Sequence, residues 1–212
     1  MNFTCPTCGA PLKFVSAAPY TVCAYCRSVL VRTDVGLESV GRVAMVPDDF
    51  SPLQVGTRGQ FDARSFALIG RIRKVWSEGS WNEWCAQFSD GALGWLAEAQ
   101  GDLVMTFERS ISLPPETLAP DTVVMLEGQR FQVSDVKQVS CAGAEGELAS
   151  YSPEAKAMTS IDLRGPGLAF ATIERSDKNR IFVGRLVEFE ECRFEHLRAM
   201  DGWAPDSAPS SR

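Results

Sequence analysis

From Leu53 to about Glu190 the chain runs in short apolar stretches separated by Gly, Asp and Pro, with no sustained 3.6-residue period. This texture predicts a mostly β domain over 53–190, an antiparallel sandwich or barrel-like structure with tight turns. In Thr122-Val-Val-Met-Leu126, Glu127-Gly128 and Gln129-Arg-Phe-Gln-Val133, a two-residue turn sets Val124 opposite Phe131. At an offset of 65 residues (53 against 118), Leu53-Gln-Val-Gly-Thr57 falls on Leu118-Ala-Pro-Asp-Thr122, and Phe66-Ala-Leu68 falls on Phe131-Gln-Val133. Two related β-halves follow, the first pairing Gly59 with Phe66.

The stretch Trp81 to Glu98 carries three of the five tryptophans. With Asp90-Gly91 as a type I′ turn, Phe88 faces Leu93, Ala86 faces Trp95 and Trp84 faces Ala97. Alternation then puts Trp84 and Trp95 on one packed face and leaves Trp81 without a cross-strand partner. Helical spacing appears only from Glu190 to Met200, predicting a short terminal helix over 191–203. Gly36, Gly41, Pro47 and Pro52 mark a connector over 34–52, with a short helix expected within Leu37 to Met45. The Pro- and Ser-rich tail, 204–212, predicts disorder.

Residues 1–33 follow a different rule, set by cysteine. Cys5-Pro-Thr-Cys8-Gly9 and Cys23-Ala-Tyr-Cys26 form two Cys-x-x-Cys hooks with fourteen residues between them. Two such hooks predict one tetrahedral tetrathiolate Zn²⁺ site, with strands at Pro11–Val15 and Ser28–Arg32: a zinc ribbon too small to fold without its metal. A redox pair of the thioredoxin kind would need a βαβ setting, which the pattern lacks. With Cys5, Cys8, Cys23 and Cys26 all ligating, no coordination position stays open, so the zinc is structural. Arg27 stands where ribbons often place Gly, and its charge offsets part of that of a Zn(Cys)₄ centre. Lys13, Arg27 and Arg32 form a small basic set without interleaved aromatics.

Composition narrows the function. A formal charge of −6 and pI near 4.9 exclude the whole surface as a nucleic-acid binder. No apolar run reaches membrane-span length and no leader is visible; with four of seven cysteines in hooks, a cytoplasmic setting is expected. His196 is the single histidine, expected on the flank of the terminal helix one turn from Cys192, and no catalytic residue is assigned. Cys85 and Cys141 read as small apolar fillers. Trp81, Glu83, Glu98 and Glu147 are the candidates for contact with a ligand or partner.

Several stretches carry a resemblance: Leu53-Gln-Val-Gly-Thr-Arg-Gly59, Phe66-Ala-Leu-Ile-Gly-Arg-Ile72, Trp81-Asn-Glu-Trp84, Gly94-Trp-Leu-Ala-Glu98, Gly146-Glu-Leu148 and Phe182-Val-Gly184. In this order they resemble a bacterial family catalogued as domain of unknown function 4178, some members of which carry a similar ribbon. Ala149 departs from that pattern, which has Pro after the leucine. The resemblance brings no established activity, but implies an accessory role in a membrane-stress-related system. The reading that follows is a non-enzymatic adaptor or scaffold with a structural zinc and a protein partner. A small-molecule sensor or enzyme using Trp81 and its acids is the first alternative, and nucleic-acid binding through the ribbon the second.

Overall fold

The computed structural model describes residues 2–112, 118–151, 157–176 and 179–200, and every regular element among them is a strand. The amino-terminal strands are β1 (Asn2–Thr4), β2 (Pro11–Lys13), β3 (Tyr20–Val22), β4 (Ser28–Thr33) and β5 (Gly36–Arg42). A first run of five follows: β6 (Arg58–Phe61), β7 (Arg64–Trp76), β8 (Gly79–Phe88), β9 (Leu93–Ala99) and β10 (Asp102–Arg109). The second run is β11 (Val123–Leu126), β12 (Gln129–Leu148), β13 (Met158–Arg164), β14 (Ala169–Arg175) and β15 (Arg180–Val187). Strands β7, β8, β9, β10, β15, β14, β13 and β12 are hydrogen-bonded in that order, and β12 pairs back onto β7, so the antiparallel sheet closes into a ring. Among the described residues no helix is long and apolar enough to cross a membrane.

The two runs repeat each other in detail. Gly59 pairs with Phe66 and Val124 with Phe131, as the shifted sequences predict. Both hairpin turns hold two residues at positive φ, Asp62 and Ala63 at 49° and 61°, Glu127 and Gly128 at 49° and 78°, the type I′ conformation. Leu68 N donates to Thr57 O and Val133 N to Thr122 O, each at 2.8 Å. The β-bulges recur, between Leu68 and Gly70 and between Val133 and Asp135. Where the runs meet, Ser140 pairs with Val75, its own counterpart under the shift, so an approximate two-fold axis passes between β7 and β12.

Polar and apolar faces are distributed unusually for a barrel. Lys74 on β7 is ion-paired with Glu174 on β14, across the ring, which fixes the face carrying Lys74 as the inward one. The register then turns Trp81, Glu83 and Cys85 inward from β8. The outward face of β7 to β10 carries Leu68, Trp84, Phe88, Leu96 and Met105, covered by Leu53 and the segment Phe189 to Leu197. The outward face of the second run carries Phe131, Leu163 and Ile173, covered by Leu118 and β11. One end of the interior is apolar, where Ile72, Cys85, Trp95 and Phe182 pack with Val22 and Val29 of the amino-terminal strands.

Three sequence expectations are corrected. In the Trp-rich hairpin the loop is Ser89-Asp90-Gly91: Phe88 N donates to Ala92 O at 2.9 Å, and Gly91 alone takes positive φ, 85°. This is a three-residue loop with glycine in the left-handed position, not a type I′ turn. The register moves by one, setting Trp84 opposite Leu96 and Cys85 opposite Trp95, so the two tryptophans lie on opposite faces. Both are still core, at 0% and 6% exposure, because both faces of this hairpin are covered. The terminal helix does not form over 191–200, where Arg193 and His196 take φ of 46° and 58°. This segment lies along β6 instead, with Gln60 N donating to Cys192 O at 2.7 Å and Glu195 bridged to Arg58. Residues 201–203 of that helix and the tail 204–212 lie outside the described residues. The helix expected within Leu37 to Met45 is strand β5, drawn onto β4 with Leu37 opposite Arg32.

Candidate metal centre and barrel cavity

The hooks use one backbone device twice. Cys5 N donates to Ala10 O and Gly9 N to Cys5 O, at 2.8 and 2.9 Å; Cys23 N donates to Ser28 O and Arg27 N to Cys23 O, each at 2.9 Å. Gly9 and Arg27 take φ of 77° and 62°, so Arg27 occupies the left-handed position that glycine fills in the first hook. Cys5 Sγ lies 3.7 Å from Cys26 Sγ, and Cys8 Sγ 3.8 Å from Cys23 Sγ. All four sulfurs fall within 4.8 Å of one another, a donor set able to hold a metal ion. Ser28 Oγ lies 3.2 Å from Cys26 Sγ, placed to donate to a thiolate there. Arg42 donates twice to Cys26 O and steadies the second hook.

Around the ring, β7, β8, β9, β10, β12, β13 and β14 together wall an inward cavity of about 390 Å³. Trp81 and Glu83 converge in it, Trp81 Nε1 donating to Glu83 Oε1 at 3.0 Å. The Trp81 and Trp76 rings meet with centroids 5.4 Å apart. Lys74 Nζ lies 3.0 Å from Glu83 Oε2 and also pairs with Glu174. Burial alone would push this ammonium down, but the Glu83 and Glu174 charges outweigh it and hold Lys74 above the ordinary lysine value. Burial and the neighbouring Glu174 charge raise Glu83 against the pull of Lys74. Asp162, accepting from Thr172 Oγ1 at 3.0 Å, is likewise pushed up by burial. Lys137 pairs with Asp135 and stands over the Trp76 ring, while Arg164 stacks over Phe170 at 4.9 Å.

The other candidates are placed elsewhere. Glu98 faces outward, accepting from Trp84 Nε1, Asn82 Nδ2 and Ser51 Oγ at 3.0, 3.1 and 2.7 Å. Glu147 is buried and accepts from Val15 N and Ser16 N at 2.6 and 3.0 Å, tying the loop after β2 to β12. Cys85 is buried in the interior, where desolvation pushes its thiol up to about 12. Cys141 is half-buried nearby, and burial raises it too. His196 O accepts from Gln54 and Thr57 side chains, so its backbone does the work. Arg32 stacks over Phe14 at 4.0 Å and donates to Ser16 O.

Sequence reading missed Lys74, Glu174, Asp162 and Lys137. Each sits at an inward step of a strand that otherwise reads as ordinary β-structure. The available signal was Lys74 in Gly70-Arg-Ile-Arg-Lys-Val75, a cation on the alternate step from Arg71 and Arg73, but only ring closure shows which side it faces.

The model of the family described as Domain of unknown function (DUF4178) matches residues 54–189, the span that builds the ring. Among curated proteins none matches the chain, and among solved structures none matches it.

Proposed function

The chain belongs to the Domain of unknown function (DUF4178) family, and we propose that its barrel is a receptor for a small molecule, joined to a zinc-stabilised ribbon. The cavity carries this reading: its walls come from seven strands, and it places two indoles, several carboxylates, the Lys137 ammonium and the Arg164 guanidinium around one interior space of about 390 Å³. That volume lies at the lower end of small-molecule sites, and aromatic walls with a few fixed polar groups are their usual make-up. The ion-paired Lys74 and Glu83 hold one another, an arrangement suited to recognition rather than to a free nucleophile or base.

Zinc is the metal we assign to Cys5, Cys8, Cys23 and Cys26. Zinc–thiolate bonds of about 2.3 Å in a tetrahedron give sulfur–sulfur edges of about 3.8 Å; the Cys5–Cys26 and Cys8–Cys23 pairs stand at 3.7 and 3.8 Å. Its role is structural, since four thiolates complete the shell. A cytoplasmic setting suits this reading, as reducing conditions preserve the thiolates.

The adaptor role keeps one specific support, confined to the ribbon. Tyr25 of the second hook and Val35 in the turn between β4 and β5 are exposed at 73% and 92%, apolar side chains open to a protein partner. Nucleic-acid binding has less support, because Arg32 is committed to Phe14 and Ser16.

The receptor reading is tested by screening small-molecule fragments against the zinc-loaded chain, with the indole N–H resonances as reporters. Shifts at Trp76 and Trp81 that vanish in Ala97→Trp, which fills the cavity, are expected. Shifts confined to other surfaces overturn the reading.

A further inference from the structure

The interior carries more acid than base, and the excess is placed. Lys74 is shared between Glu83 and Glu174, and Lys137 is taken by Asp135. Asp102 and Asp162 line the same cavity, and among the described residues neither forms an ion pair. Arg164, the remaining cation of the lining, lies over the Phe170 ring. Counting Lys74, five lining carboxylates therefore face three cations; Asp102 and Arg164 are exposed at the rim, and Glu83, Glu174 and Asp162 lie deeper. In a low-dielectric interior such an imbalance is relieved by taking up positive charge. Burial raises Glu83 and Asp162 in the same sense.

A bare metal ion does not fit this pattern. Among the described residues only the four ribbon cysteines bring three or more ligand atoms within reach of one ion. The cavity carboxylates are spread over β8, β10, β12, β13 and β14, with Trp76, Trp81 and Phe170 between them. Dispersed acids with aromatic faces suit a cation that has a carbon body, since an ammonium group gains from both charge and ring quadrupole.

We propose that the barrel cavity binds a small organic ammonium ion, its charged group beside Glu83 and Asp162 and its carbon body against Trp76, Trp81 and Phe170. This inference rests on the receptor reading and adds the class of ligand. A neighbouring void of about 30 Å³, lined by Glu83, Glu174 and Phe182, continues the space beyond Glu83 and offers room for the deeper end of such a ligand.

Three probes of nearly equal shape separate charge from fit: 2-phenylethylamine, 2-phenylethanol and phenylacetate, titrated by calorimetry into the zinc-loaded full chain. The amine is expected to bind at least tenfold more tightly than the alcohol, and the carboxylate not to bind. Asp162→Asn should weaken the amine about tenfold and leave the alcohol unchanged, with Asp102→Asn at the exposed rim as a second variant acting in the same direction. Alcohol or carboxylate binding as tightly as the amine overturns the cation assignment while the receptor reading stands. Amine binding that survives Ala97→Trp overturns the receptor reading and the assignment with it. Failure of all three probes overturns both as well.

Discussion

Asp49 belongs to no strand, yet Arg71, Arg73 and Arg198 all donate to it, with Nη–Oδ distances of 3.1, 3.0 and 3.2 Å. Asn82 Nδ2 adds a fourth hydrogen bond at 2.9 Å. Burial alone would raise this carboxyl, but the Asn82 bond and the Arg71 charge outweigh it and hold Asp49 below its ordinary value. The side chains of Arg71 and Asp49 are 8% and 10% exposed, so removing the carboxylate leaves the buried Arg71 with Glu145 alone and takes the anion from Arg73 and Arg198 as well. Asp49→Asn should cost about 3 kcal/mol in urea unfolding at neutral pH. A lowered folded pKa means stability that is present above the unfolded value and lost as pH falls through the folded one. The cost should therefore shrink below about pH 4. Glu83 has the opposite sign. Its folded pKa is raised, so its contribution is present at low pH and lost as pH rises. Glu83→Gln should gain stability relative to the wild type as pH rises above about 4.3, the ordinary unfolded glutamate value. Parallel pH profiles for the two variants would refute this assignment of charges.

At the scale of strands and turns, legibility depended on how many faces were covered. The hairpin of β11 and β12 has Val123 and Met125 exposed and Val124 and Leu126 buried, so one register satisfies its alternation. The hairpin of β8 and β9 is covered on both faces, and a one-residue slip still buries apolar side chains. There the turn decides, and Asp90-Gly91 serves a three-residue loop as readily as a two-residue one. The pairing of β10 with β15, the other junction between the two runs, carries its own constraint. Gly184 on β15 lies opposite Thr106 on β10, and a Cβ added there would collide with the Met105 carbonyl. Gly184→Ala should destabilise the barrel by about 2 kcal/mol or more, since backbone must move. Gly101→Ala, in open space with φ of 95°, should cost only about 1 kcal/mol from backbone conformation. Thermal unfolding of the two variants checks the difference, and equal losses would mean that β10 and β15 yield easily.

On the scale of the whole molecule, the ribbon and ring are joined by Glu147, by pairing of Thr21 with Glu147, and by the apolar cluster linking Val22 and Val29 to Trp95. On the proposed zinc assignment, a chelator or Cys8→Ser should open residues 1–33 to protease and lower the unfolding midpoint by several degrees. The near-ultraviolet dichroism of Trp84, packed on the far face, should persist. An unchanged midpoint would show that metal does not hold the ribbon. The sequence by itself determined the cysteine hooks, the mostly β class, the two-half repeat and the register of its matching hairpins. Those features follow from local rules: ligand spacing, alternation and turn chemistry within a few residues. Tertiary structure decided the rest. Whether Trp84 and Trp95 share a face depended on coverage from both sides, and the expected terminal helix gave way to backbone pairing with β6. The cavity joins Lys74 to Glu174 across one hundred residues of sequence. Such partners have no common local pattern, because only closure of the ring turns their side chains toward one interior.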